Sequence, residues 1–214
     1  MYIIIYGEDA FRVKQRVKQM KDAFSKKFDP TGINTNIFPQ AGKEKLDHGE
    51  VLQAACSYPF LGDKRMVVIG GLIEGTNKDA SKVWIDGFGR IPESTIVIFY
   101  ENGSTKKLEK KSLFKALTKL PDVHTYTYPK LQGLELSKWV GSCISQKGGR
   151  IDGVALQNLV ASVGPDLWHM SNEIDKLIAY ADDAVNSVEM VSDMVRASFE
   201  GQIFALMDAV KRNK

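Results

Sequence analysis

Short apolar runs alternate with helical patterns over the first 128 residues of the chain. The runs are rich in β-branched and aromatic residues and predict five strands, at residues 2–6, 33–37, 66–69, 95–99 and 123–128. Between them, apolar residues recur every three or four positions, which predicts amphipathic helices over residues 8–24, 44–55, 82–88 and 106–120. Such alternation is typical of an α/β domain whose parallel sheet is flanked by helices.

Beyond Gly133 the apolar pattern is helical only, with glycine and proline steps between the helical segments. A last apolar pattern, over residues 199–210, is followed by no segment that could cover it. We therefore expect three parts: an α/β domain over residues 1–132, a small helical domain over 133–197, and the start of a truncated third domain over 198–214.

Composition and charge are those of an ordinary globular protein, but the charges are unevenly distributed. The chain is 43% hydrophobic and 26% charged, as is usual for a globular protein, and its net charge is only +3. Residues 11–27 carry seven basic side chains and one acidic one, whereas residues 182–200 carry five acidic and one basic. Either run is a solvated helix face or a surface for a partner, and the first is the more common case.

The termini and cysteines narrow the class of protein. The first residues lack the features of a signal peptide, and no stretch approaches the roughly 18 apolar residues of a membrane span. We expect a cytoplasmic protein without a membrane partner. Cys56 and Cys143 have neither metal nor redox spacing, and we interpret both as core thiols.

The turn after the first predicted strand stands where a nucleotide-binding protein keeps its phosphate loop. It contains Gly7, Glu8 and Asp9, without the second glycine and the Lys-Ser/Thr pair that phosphate and magnesium need. Two carboxylates at a helix N-terminus also repel a triphosphate. A magnesium-binding site after the fourth strand would require an Asp-Glu pair, but this chain has Tyr100 and Glu101 at these positions.

Other catalytic or metal-binding patterns are missing from the sequence. The three histidines lie in separate segments without ligands at metal spacing, and they are His48, His124 and His169. No nucleophile stands at catalytic spacing from a base. We expect no catalytic site, no cofactor and no metal.

An apolar turn precedes the third predicted strand. Its sequence is Tyr58-Pro59-Phe60-Leu61-Gly62, bounded by three charged residues. Two large hydrophobic side chains are unusual in a loop. They either pack back onto the domain's own core or remain exposed for a partner, and the residues alone leave both interpretations open.

A lysine-rich segment follows the fourth strand. It could attract DNA phosphates through Lys106, Lys107, Lys110 and Lys111. The interpretation we favour is an amphipathic helix that keeps Leu113, Phe114 and Leu117 inward and its lysines in solvent.

Four segments, in order along the whole chain, resemble the delta subunit family of bacterial DNA polymerase III. They are IIYGEDAF at residues 4–11, PFLGDKRMVV at 59–68, LWHMSNEIDKL at 167–177 and IFALMDAV at 203–210. The resemblance implies an AAA+-like core that does not bind ATP, a helical lid, and a collar domain of which most is absent here.

The resemblance also implies a function in DNA replication. A delta subunit binds the ring-shaped sliding clamp (beta subunit) and favours its opening, within a clamp loader that contains gamma/tau and delta prime subunits and acts on primed DNA. Two adjacent apolar residues make the clamp contact, and here they correspond to Phe60 and Leu61, with Tyr58 and Pro59 shaping the turn. The subunit has no catalytic site of its own, although it can be classed with the DNA-directed DNA polymerase it serves.

Two alternatives remain at this point. A degenerate P-loop-type ATPase would retain weak nucleotide binding. A stand-alone basic DNA-binding module would bind DNA in a salt-dependent way that ignores Phe60 and Leu61. A clamp-loader subunit instead depends on these two residues.

Overall fold

The computed structural model describes residues 1–39, 46–181 and 185–195. It divides the chain into two compact units, Met1–Pro129 and a second unit from Lys130 onward, and we describe each by itself. The third domain predicted from residue 198, the resembling segment at 203–210 and part of the acidic run at 182–200 lie outside the described residues.

The first unit is built on a sheet of five parallel strands in the order β2-β3-β4-β1-β5. The strands are β1 (Tyr2–Gly7), β2 (Thr35–Phe38), β3 (Arg65–Gly70), β4 (Thr95–Asn102) and β5 (Val123–Thr127). Strands β1, β3 and β4 occupy the three inner positions, and their residues are almost all buried, as continuous apolar runs predict. The predicted α/β class with a parallel sheet is confirmed.

Helices cover both faces of this sheet. They are α1 (Ala10–Phe28), α2 (His48–Cys56), α3 (Leu72–Gly75), α4 (Lys78–Gly87), α5 (Thr105–Leu108) and α6 (Ser112–Leu117), with a 3-10 turn at Phe88–Arg90. Because side chains alternate along a strand, Ile3 and Ile5 pack with the α1 residues Val13 and Val17. Ile4 belongs to the core on the opposite face, together with residues of α2, α4 and α6.

Several predicted helices have different bounds in the structure. The segment over 106–120 forms two short helices, because Lys111 adopts an extended conformation (ψ 140°) between them. Its inward residues are nevertheless those predicted, since Leu113, Phe114 and Leu117 are all buried. The helix predicted from residue 82 begins four residues earlier, where the Asn77 side chain accepts a hydrogen bond from the amide of Ala80.

The described part of the second unit is mainly helical. Its helices are α7 (Gly133–Gln146), α8 (Gly153–Val163), α9 (Leu167–Ala181) and α10 (Val188–Met194). Their buried residues, such as Val140, Leu159 and Ile174, follow the predicted apolar stripes. A two-residue parallel pairing of β6 (Arg150–Ile151) with β7 (Val185–Asn186) was not predicted. No helix in the described ranges is both long and apolar enough to cross a membrane.

The interpretation of both cysteines as core thiols is wrong. Cys56, the last residue of α2, and Cys143, in the last turn of α7, are free and only half-buried. Burial raises the pKa of both thiols above the usual value.

Candidate functional site

The turn between β1 and α1 fills the position of a phosphate loop with the chain's own groups. Asp9 caps α1 by accepting a hydrogen bond from the amide of Arg12 at 3.0 Å. Gly7 has φ +152°, and a side chain there would collide with the backbone of Tyr128. The amide of Asp9 donates to the carbonyl oxygen of Tyr128 at 3.1 Å. We call residues 7–9 the Gly7 loop.

Arginine side chains close the outside of the Gly7 loop. The Arg12 guanidinium pairs with the Asp9 carboxylate at 2.6 Å, donates to the carbonyl of Pro129 and lies over the Tyr128 ring. The Arg16 guanidinium lies 4.5 Å from the centre of the Tyr126 ring. Arg12 and Arg16 are therefore engaged with Asp9 and the rings at the end of β5, which reduces the basic surface that the sequence suggested.

Glu101 lies at the same edge of the sheet, where β4 ends. Its side chain is only 1% exposed, and its two carboxylate oxygens accept hydrogen bonds from the amides of Ile73 (2.6 Å) and Glu74 (3.4 Å) at the start of α3. Burial, partly opposed by these amides, raises the pKa of Glu101 from its usual 4.5 to about 7. Glu101 thus serves as a buried helix cap, a role that its place after an apolar strand did not reveal.

The opposite edge of the sheet carries the apolar turn predicted between α2 and β3. We call residues 57–64 the tip loop. Tyr58, Phe60 and Leu61 are 78%, 61% and 92% exposed, while Pro59 is half-buried. Phe60 and Leu61 therefore do not pack back onto the core of the domain. Of the two interpretations that the sequence left open, exposure is the one that the structure favours.

The backbone of the tip loop is held at Phe60 although the side chains of the loop are exposed. The Asn34 side chain donates from Nδ2 to the carbonyl of Phe60 at 2.9 Å, and its Oδ1 accepts from the amide of Phe60 at 2.6 Å. Arg65, at the end of the loop, donates to the carbonyl of Ala54 and to the side chain of Asn36. Sequence reasoning missed Asn34, because nothing local distinguishes it from other polar residues before a strand.

The lysines proposed to face DNA are not equivalent. Lys106, Lys107 and Lys110 are exposed, whereas Lys111 is half-buried and its Nζ donates to the carbonyl of Glu74 at 3.0 Å. Lys111 therefore connects the start of α6 to α3. The other three extend from α5 and the turn after it rather than from one continuous helical face.

The histidines occupy separate positions, as expected. His48 accepts a hydrogen bond from the Trp84 indole at 3.1 Å, His124 lies near Asp122, and His169 lies 3.2 Å from Glu173. Within the described residues, no group of three or more His, Cys, Asp or Glu side chains could hold a metal ion.

Comparisons with known proteins agree with this architecture. The family model for the DNA polymerase III delta subunit matches residues 2–127, which is more than half of the chain. The chain belongs to the DNA polymerase III delta subunit family. This match covers the β1 and β3 segments of the resemblance, including the Gly7 loop and the tip loop. No curated protein matches the chain in sequence.

Solved structures support the fold of this delta-family chain. The Bacillus subtilis DNA clamp loader delta protein matches with a TM-score of 0.63 and 20% identity, covering 99% of this chain and 63% of that one. A Thermotoga maritima DNA polymerase III gamma subunit-related protein matches with a TM-score of 0.51 and 14% identity, covering 85% and 56%. The Thermotoga maritima RuvB Holliday junction branch migration motor matches at 0.52 and 9%, covering 90% and 60%. The chain thus spans less than two thirds of the length of each of these proteins.

Proposed function

We propose that this chain acts as a clamp-loader delta subunit that binds the sliding clamp through its tip loop. In this proposal it favours opening of the clamp, so that the clamp can be loaded onto primed DNA. It acts with gamma/tau and delta prime subunits in the cytoplasm. The observation that supports this most is the exposure of Phe60 and Leu61 on a loop whose backbone is held by hydrogen bonds.

The energetics of the tip loop are sufficient for such a contact. Burying one phenylalanine and one leucine contributes about 1.5 to 3 kcal/mol each. Together this corresponds to roughly two to four decades of affinity, since about 1.4 kcal/mol changes a dissociation constant tenfold. Buried apolar anchors of this kind usually dominate the binding energy of an interface.

The two alternative functions have weaker support. A degenerate ATPase would need phosphate at the start of α1, where the Asp9 carboxylate already caps the helix and pairs with Arg12. A stand-alone DNA-binding module would need a continuous basic surface. Arg12, Arg16 and Lys111 instead make contacts within the first unit.

The proposal is tested by titrating the purified cognate clamp into the wild-type chain and into a Phe60→Ala/Leu61→Ala variant. We expect the double variant to bind at least a hundredfold more weakly, because both apolar anchors are lost. Its free energy of unfolding should change by less than about 0.5 kcal/mol, since both side chains are exposed in the free chain.

A matched control is the Val83→Ala/Ile85→Ala variant, which removes two exposed apolar side chains from α4 in the same unit. It should bind the clamp with wild-type affinity. The proposal fails if the wild-type chain does not bind the clamp, or if the tip-loop variant and the α4 variant bind equally well.

A further inference from the structure

We infer that Asn34 is a positioning residue for the clamp contact, which it supports without touching the clamp, by fixing the backbone of Phe60. This inference rests on the proposed function, because it concerns how the tip loop presents its side chains. Asn34 lies 26 positions before Phe60 in the chain, just before β2, and is only 4% exposed.

The Asn34 side chain makes a bidentate pair of hydrogen bonds with the backbone of Phe60. One side-chain amide group both donates to the carbonyl and accepts from the amide of the same residue. This geometry fixes the position of Phe60 and also the orientation of its peptide groups. A single amide side chain in this arrangement imitates the pairing of one strand residue with its neighbour.

The backbone of Asn34 is itself held by hydrogen bonds to the end of α1 and to β3, and the following β2 residue is tied to the same carboxylate. Its backbone amide donates to the Asp29 carboxylate at 3.0 Å, and its carbonyl accepts from the amide of Met66 in β3 at 2.9 Å. Asp29 is the C-cap of α1, is 2% exposed, and also accepts from the Thr35 hydroxyl at 2.7 Å. The residue that holds Phe60 is therefore anchored to α1 and β3.

The tip loop needs this support because its conformation is intrinsically unfavourable. Leu61 has φ +48°, in the left-handed region that branched and bulky residues rarely adopt. Phe60 and Leu61 are exposed, so they make little packing that could hold the turn. Without the Asn34 hydrogen bonds, we expect the loop to populate other conformations that do not present both side chains together.

A loop that is only fractionally in its binding conformation binds with proportionally lower affinity. Replacing Asn34 should therefore weaken clamp binding although every side chain of the proposed contact surface remains. We expect the dissociation constant of the Asn34→Ala variant to rise about tenfold or more. The rise should appear at least partly as slower association, because fewer free chains hold the loop in its binding conformation.

The test compares Asn34→Ala with Asn77→Ala in the full 214-residue chain, titrated with the purified cognate clamp. Both substitutions remove an asparagine side chain that bonds to the backbone of the same unit, but Asn77 caps α4 and has no part in the tip loop. Asn77→Ala should lower the unfolding temperature and leave clamp affinity unchanged. If the two variants weaken binding to the same extent, or if Asn34→Ala binds like the wild type, the inference is overturned.

A second measurement does not involve the clamp. Amide hydrogen exchange at Phe60 in the free chain should be at least tenfold faster in Asn34→Ala than in the wild type, because its acceptor is lost. Exchange in the core strand β4 should be unaffected at a temperature where both chains are folded. Unchanged exchange at Phe60 would contradict the inference, whether or not the chain binds the clamp. Failure of the wild-type chain to bind the clamp would instead contradict the proposed function.

Discussion

The two edges of the sheet in the first unit handle their polar and apolar groups in opposite ways. At the carboxyl ends of the strands, where open α/β sheets usually bind ligands, the Gly7 loop is bonded to Tyr128, and its Asp9 caps α1. Glu101 is buried at the same edge. At the amino ends, the tip loop leaves Phe60 and Leu61 in solvent.

The difference shows that the exposed apolar side chains, which the stability of the fold does not require, lie at the amino edge. At the carboxyl edge the carboxylates of Asp9 and Glu101 accept hydrogen bonds from backbone amides of the unit, and Asp9 also pairs with Arg12. At the amino edge Asn34 bonds to the backbone of Phe60, while the side chains of Phe60 and Leu61 are mostly exposed. The carboxyl edge thus contributes to folding stability, and the exposed side chains at the amino edge are those that we propose for clamp binding.

The largest effect on stability is expected at the Gly7 loop. Gly7→Ala should lower the free energy of unfolding by about 3 kcal/mol, because the new methyl group collides with the backbone of Tyr128 and the residue has φ +152°. Urea unfolding measures this change. Gly89→Ala is a suitable control, since a methyl group there meets no atom within 4 Å.

The free energy of unfolding of the Gly89→Ala variant should stay within about 0.5 kcal/mol of the wild type. A Gly7→Ala variant as stable as Gly89→Ala would show that the Gly7 loop has room to open, and the assignment of this edge to stability would be wrong.

An effect that reaches a comparable size only at the upper end of a pH range is expected at Glu101. Because its pKa in the folded chain is raised to about 7, the folded chain keeps a proton that the unfolded chain loses between pH 4.5 and 7. The free energy of unfolding should therefore fall as the pH rises through this range, by up to about 3 kcal/mol at 1.36 kcal/mol per pKa unit. Below pH 4.5 this contribution is constant.

The Glu101→Gln variant isolates this effect, because glutamine has the same shape and no titrating group. Urea unfolding at several pH values should show a smaller decrease between pH 4.5 and 7 in the variant than in the wild type. Parallel pH profiles for the two chains would mean that Glu101 ionises normally and that this edge is more open to water than its burial indicates.

Most of the fold could be predicted from the sequence, because periodicity reports which faces are buried. The continuous apolar run of β1 predicts a strand that is covered on both faces, and the spacing of Val13 and Val17 predicts the inward face of α1. The division of the segment at 106–120 into α5 and α6 could not be predicted. Its apolar spacing suits one helix, and the extended conformation of Lys111 coincides with a hydrogen bond to Glu74, far away in sequence.

The tip loop was visible in the sequence as two large hydrophobic residues beside a proline. Its exposure was not, because the same residues could have packed on the core. The roles of Asn34 and Glu101 could not be predicted for a related reason. Each side chain bonds to backbone groups 26 to 28 positions away, and the local sequence pattern carries no information on such pairs.

The most direct test of the recognition surface is amide hydrogen exchange of the wild-type chain with and without the cognate clamp. We predict slower exchange in the clamp complex at residues 57–64 and around Asn34, with little change in the Gly7 loop. Protection at residues 10–28 or 105–119, with the tip loop exchanging as in the free chain, would contradict the proposed clamp contact.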